Sequence, residues 1–308
     1  MTALLWPMFA GLGLFLGGMR LMRFGLLAIT GDKLQRWLLT FTRTPSRGMI
    51  TGTLITMLVQ SSSAVTVITI GLVNARLLTF PQTVGIILGT NIGTTFTTQL
   101  IALNPHKLAL PLFIIGCVLY FFRHTFMKAL GASLAGFGCI FLGIRMMQTI
   151  TGPLQESHFF LSTLTGEHAS NLNGIVLGAA FTALLHSGSA VTALTMGFVN
   201  EHILSLTMGI AIILGSNIGT CITAILAAIG SSAAAKQVAW VHVFLNVAGV
   251  LLFWPFIGPL ADLVQMLTNH PDVQIAHAQT LFNVICSVLA LPFVNMIARL
   301  ARMSIRDE

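Results

Sequence analysis

Two short polar runs interrupt an otherwise apolar chain, QSSSAVT over residues 60–66 and HSGSAVT over residues 186–192. Each is followed at the same distance by a second island, GTNIGTT over 89–95 and GSNIGTC over 215–221. Hydroxyls, amides and freed backbone groups can serve as oxygen ligands for a hard cation or as hydrogen-bond donors to an oxyanion. None of the four islands contains Asp or Glu. Neutral oxygens can hold sodium, and a site without carboxylates does not repel an anion, so this chemistry favours a sodium-coupled anion carrier. A proton-coupled carrier would want a titratable group at depth, and His186 is the group in these islands that titrates near neutrality. A serine nucleophile is disfavoured, because no GxSxG elbow or recognisable Asp/His partner accompanies the serines; no enzyme is expected. Ser, Thr and Gly are also ordinary packing residues of membrane helices, but four islands in two matched pairs exceed what packing requires.

The surrounding elements must hold these islands inside a bilayer. The 308 residues are 55% hydrophobic and 7% charged, against about 25% charged in soluble proteins. Apolar runs recur along the whole length at the size needed to cross a ~30 Å hydrocarbon layer, predicting one all-α polytopic membrane domain over residues 1–308. The net charge of +7 is read as Lys and Arg crowding cytoplasmic loops, with no nucleic-acid partner. Cys117, Cys139, Cys221 and Cys286 lie in apolar segments without metal-ligand spacing. Residues 3–22 are read as a first helix and not a cleaved leader, with Gly13 and Gly17 spaced for close helix approach. An amphipathic piece over 34–41 is expected along the interface. Residues 48–74 are too short on either side of QSSS for two crossings, which predicts a re-entrant hairpin; GTNIGTT then predicts a discontinuous helix, tolerated where backbone lines a protein-buried or wet cavity. Spans follow at 108–122 and 129–150, then a loop bearing Glu156 and Glu167, a second hairpin over 173–200 and a second broken helix over 204–229. The last spans are placed at 238–257 and 275–297, joined by a loop with Asp262 and Asp272. The charges put the N-terminus outside and the C-terminus inside.

Shifting the chain against itself by 126 positions aligns 22 identities in the 46 pairs from Gly52/Gly178 to Thr97/Thr223 without a gap. This is an internal duplication, with repeats over about 3–123 and 129–257 and an extra span at 275–297. Three crossings and one hairpin per repeat would invert the second copy, so that the hairpin tips meet near the midplane. Inverted-topology repeats with broken helices are an architecture of secondary transporters.

The paired pattern, QSSSAVT with GTNIGTT and a second serine hairpin with GSNIGTC, resembles the type II sodium/phosphate cotransporter family in its short bacterial form. The resemblance implies sodium-coupled symport of inorganic phosphate across a bacterial inner membrane by alternating access, with sodium as coupling ion and no cofactor. It nominates Gln60, Ser61, Ser62, Ser63, Thr90, Asn91, Thr94 and Thr95 in the first repeat, and Ser187, Ser189, Ser216, Asn217 and Thr220 in the second, as substrate and ion ligands. Sodium is expected among Gln60, Ser61, Ser63, Asn91, Ser187 and Asn217. The chain departs from the family where His186 replaces Gln and Gly188 replaces the middle Ser of the second hairpin. His186 joins the candidate ligands for that reason. Another oxyanion, proton coupling through His186, and a channel or assembly subunit are the alternatives; homo-oligomerisation is open. The pairs His242/Asn246 and Gln279/Asn283, each at i, i+4 spacing, are read as polar contacts between helices.

Overall fold

Long apolar runs give an all-α fold: in the computed structural model, which describes residues 2–31, 33–103, 106–148 and 170–305, no strand is present among the described residues. A long first helix, α1 (Thr2–Thr30), precedes a short amphipathic α2 (Lys33–Phe41), which buries Leu34 and Leu38. The first hairpin is α3 (Pro45–Val59) and α4 (Ser62–Asn74), followed by α5 (Phe80–Ala102), α6 (His106–Tyr120) and α7 (Thr125–Gln148). The second is α8 (Asn171–Leu185) and α9 (Gly188–Asn200), followed by α10 (Leu206–Gly219) and α11 (Ile222–Ala228). Two kinked helices close the chain, α12 (Ala233–Phe253) running into α13 (Ile257–Leu267), and α14 (Pro271–Ala290) running into α15 (Val294–Ser304). The acidic stretch carrying Glu156 and Glu167 lies outside the described residues.

Among the described residues, five helical stretches are long and apolar enough to cross a membrane, and α5 with α6 qualifies as a bent sixth. The chain is a multi-pass membrane protein. Large apolar side chains left exposed on its helices, such as Leu58, Val118, Phe181 and Leu251, are what a lipid-facing surface requires, because lipid tails impose no penalty on them.

The expected break inside GTNIGTT is absent: α5 runs without interruption through residues 89–95. Its threonines bond back to their own helix, Thr90 to the Ile87 carbonyl at 2.8 Å, Thr94 to Thr90 at 2.8 Å and Thr95 to Ile92 at 2.7 Å. The glycines serve packing, since a Cβ on Gly89 would meet the Met49 carbonyl and one on Gly93 would lie 2.6 Å from Thr56 Cβ. In the second repeat Gly215 and Gly219 meet Ile175 and Ala179 of α8 in the same way, yet here the helix does end, at Gly219, and restarts as α11.

Two further expectations change. Gly13 and Gly17 face open space, whereas Gly11, Gly18 and Gly25 press against the backbone or Cβ atoms of α7; the α1–α7 seam follows a seven-residue spacing. The segment after 257, expected as a loop carrying Asp262, is helix α13, with Leu260, Ala261 and Val264 buried. Its kink is a 3-10 turn at Trp254–Phe256, repeated in α14–α15 at Leu291–Phe293. Proline at residue 255 and at residue 292 forces each turn by withholding an N–H. Offset by 37 positions, residues 233–267 and 270–304 share 10 of 35 residues, including Asn246/Asn283 and the Pro-Phe of both kinks. The two terminal helix pairs are thus a second internal echo.

Two buried apolar clusters result. One joins α1, α5 to α10 and α12 to α14; the other joins α2 to α5 with α11, α12 and α15, so that α5 and α12 contribute to both. The first hairpin packs into the second cluster through Val59 and Val65, the second hairpin into the first through Ala190 and Val191. The hairpin tips therefore lie where the two clusters meet.

Candidate functional site

Each tip is built by one local rule. Helix α3 ends at Gln60 in the left-handed region (φ 56°, ψ 31°), and Ser61 then turns extended (φ −151°, ψ 97°) and caps α4, its Oγ accepting from Ala64 N at 3.2 Å. Helix α8 ends at His186 (φ 52°, ψ 29°), and Ser187 (φ −150°, ψ 99°) caps α9 by accepting from Ala190 N at 3.3 Å. The dihedral angles agree within a few degrees although Gln and His differ, so the duplicated turn does not depend on that side chain. A serine N-cap satisfies one of a helix's open N–H groups; the others, with the positive end of the helix dipole, point toward the tip.

The two tips enclose one cavity of about 20 Å³, room for roughly one water molecule. Of the sequence-nominated residues, Gln60, Ser62, Ser63 and Thr94 line it from the first repeat, and His186, Ser187, Ser189 and Thr220 from the second. Thr223 donates to Ser63 Oγ at 3.2 Å, so the first tip is hydrogen-bonded to the break between α10 and α11. Gly188 is explained by crowding: a Cβ there would lie 2.9 Å from the Thr220 methyl and 3.1 Å from Ser216 Oγ.

The other nominated residues stand behind this lining. Ser61 is buried as the cap; Thr90 and Thr95 are buried against their own helix. Ser216 is buried one turn before the α10 break, and Asn217 donates to the Ile213 carbonyl at 2.8 Å. Asn91 donates to Asn246 Oδ1 at 3.4 Å, tying α5 to α12. Gln279 accepts from Thr98 at 2.8 Å and from Thr192 at 3.5 Å, tying α14 to both α5 and α9. The i, i+4 pairs thus include inter-helix contacts at Asn246 and Gln279, as read from their spacing.

Sequence reasoning missed two features. Arg23, which follows the expected first span at 3–22 and falls among the Lys and Arg read as cytoplasmic, lines the cavity, with its Nε donating to the Gln60 carbonyl at 2.9 Å. The available signal was its place inside an apolar run seven residues before the end of α1. Second, Thr56 and Thr182, related by the 126-residue shift, each hold a buried hydroxyl with no partner one turn before the tip. Gln60 Oε1 is likewise buried without a partner. Arg145, by contrast, is exposed in the last turn of α7 and does not reach the cavity. The lining therefore combines one permanent cation, two helix N-termini and a ring of hydroxyls, with no carboxylate among the described residues. Such a surface is complementary to an oxyanion.

A polytopic helical protein with paired hairpin tips around an anion-friendly cavity has the makings of a membrane carrier. The chain belongs to the Na+/Pi-cotransporter family, whose sequence model it matches over residues 14–149 and 157–268. The family is one of transporters and not of enzymes. The chain is 40% identical over 292 residues to the uncharacterized protein YqeW of Bacillus subtilis, covering 94% of this chain and 95% of that one. It is 25% identical over 304 residues to the putative inorganic phosphate export protein YjbB of Salmonella typhimurium, covering 97% of this chain and 55% of that longer protein. A segment of 100 residues is 39% identical to the human sodium-dependent phosphate transport protein 2C, covering 31% of this chain and 16% of that one. No solved structure matches.

Proposed function

We propose that this protein carries inorganic phosphate across a bacterial cytoplasmic membrane, coupled to sodium, by alternating access around the cavity between the hairpin tips. One observation carries the reading: both copies of the duplicated tip, with Arg23, converge on a single carboxylate-free cavity. Family membership and the printed names of the phosphate-handling relatives support phosphate as cargo. Phosphate takes the hydroxyls of Ser62, Ser63 and Ser189 and the N–H groups that open α4 and α9. Sodium takes neutral oxygens among the nominated set of Gln60, Ser61, Ser63, Asn91, Ser187 and Asn217. The unpartnered Gln60 Oε1 suits that role, and the Thr56 hydroxyl is a further acceptor one turn away. In this reading the repeats have inverted topology, so each hairpin closes the site from one side. The cavity is too small to hold phosphate as it stands, so the tips must part to admit cargo.

Direction follows the gradients, because a carrier with one site runs either way. The export proteins among the relatives favour a second reading in which the same site releases phosphate outward. Binding of labelled phosphate by the purified protein, with sodium or with an equimolar large organic cation, tests the coupling. Binding that rises with sodium is expected; equal binding in both salts removes sodium from the mechanism.

A further inference from the structure

We infer that Arg23 is the residue that receives the anion and sets its affinity, a ligand lying outside the polar islands and supplied by α1. The inference rests on the phosphate-carrier reading and deepens it. Three observations converge on this side chain. It lines the cavity between the tips, where the hydroxyls and amides supply dipoles but no other permanent charge is present among the described residues. Its Nε is already engaged, donating to the Gln60 carbonyl at 2.9 Å. The Arg23 side chain is half-buried and not exposed.

The hydrogen bond at Nε fixes the guanidinium plane against the hairpin turn and leaves Nη1 and Nη2 as the ligand-binding edge. A guanidinium presents its donors in a rigid fork that matches two oxygens of a tetrahedral oxyanion at once. Ordinary snorkelling does not account for this geometry. Arg20, one turn earlier, is exposed as a snorkelling arginine should be, whereas Arg23 turns inward to a backbone carbonyl 37 residues away. An oxyanion entering a water-poor cavity loses solvation that hydroxyls only partly replace, and a fixed countercharge offsets that loss. The Gln60 bond adds a second consequence. Because Arg23 holds the tip of the first hairpin, cargo bound to its fork is joined to the element whose movement opens the site.

Lysine cannot reproduce both contacts with one bidentate face, so two substitutions separate charge from geometry. Arg23→Gln is expected to weaken phosphate binding by ~10–100-fold, the loss of one charge-assisted contact. Arg23→Lys is expected to fall between it and wild type. Both are measured by equilibrium binding of inorganic phosphate to the purified full chain in saturating sodium, alongside thermal melting in the same detergent. A purely structural tie between α1 and the hairpin would lower the melting temperature and leave the phosphate Kd of the folded fraction unchanged, and that result overturns the inference. Should Arg23→Gln fail to fold, an unchanged Kd in Arg23→Lys has the same force. If wild type itself binds no phosphate, it is the carrier reading that falls, which distinguishes the two failures.

Discussion

Gln60 and His186 occupy equivalent positions with the same left-handed backbone, but Gln60 is 6% exposed under Arg23 whereas His186 is exposed. The backbone of the tip is thus duplicated while its chemistry is not. His186→Gln restores the side chain that the first repeat uses and should leave sodium-dependent phosphate uptake in place. Uptake that loses sodium dependence or stops altogether would instead make His186 a coupling group. Ser63→Ala and Ser189→Ala each delete one lining hydroxyl and should reduce phosphate affinity by up to ~10-fold, the scale of one neutral hydrogen bond, as read by concentration-dependent uptake. At this scale the sequence was informative about residue type. Serines and threonines at matched spacing announced the tips, and eight nominated residues line the cavity. Arg23 stayed hidden because an arginine near a helix end reads as a topology signal until a contact 37 residues away is known.

At the scale of the element, glycine explains why one expected break is missing. In GTNIGTT the glycines at 89 and 93 read as weak points of a helix, but both are spent on close approach to α3. A valine at Gly93 would strike Thr56 Cβ and the Thr53 carbonyl, and overpacking of this kind costs roughly 1–3 kcal/mol. Gly93→Val should therefore lower the melting temperature of the purified protein. Gly17→Ala, which meets nothing within 4 Å, should leave it unchanged or raise it slightly through helix propensity. Equal melting of the two variants would contradict the seam. The hairpins themselves were legible, because two short apolar arms around a polar tip have few alternatives in a bilayer. The helices α13 and α15 were less so: their amphipathic pattern begins only after a proline kink, where a span of ordinary length would already have ended.

At the scale of the molecule, the 126-residue duplication and the 37-residue echo bring the polar groups together from both halves. Neither hairpin encloses the cavity alone; Ser63 meets Thr223, and Gln279 accepts from Thr98 and Thr192. The duplication was readable from identities between hairpins and their following helices. The shorter echo has fewer identities and became evident through the two matching kinks. In the proposed mechanism, separation of the tips would expose this shared site and their closure would occlude it. The central claim is that this opening is tied to sodium. Its most direct test is accumulation of labelled phosphate in proteoliposomes with a sodium gradient imposed in either direction. The account requires phosphate to concentrate on the side to which sodium flows, and to equilibrate without concentrating when sodium is equal on both sides. Accumulation indifferent to the sodium gradient would contradict it.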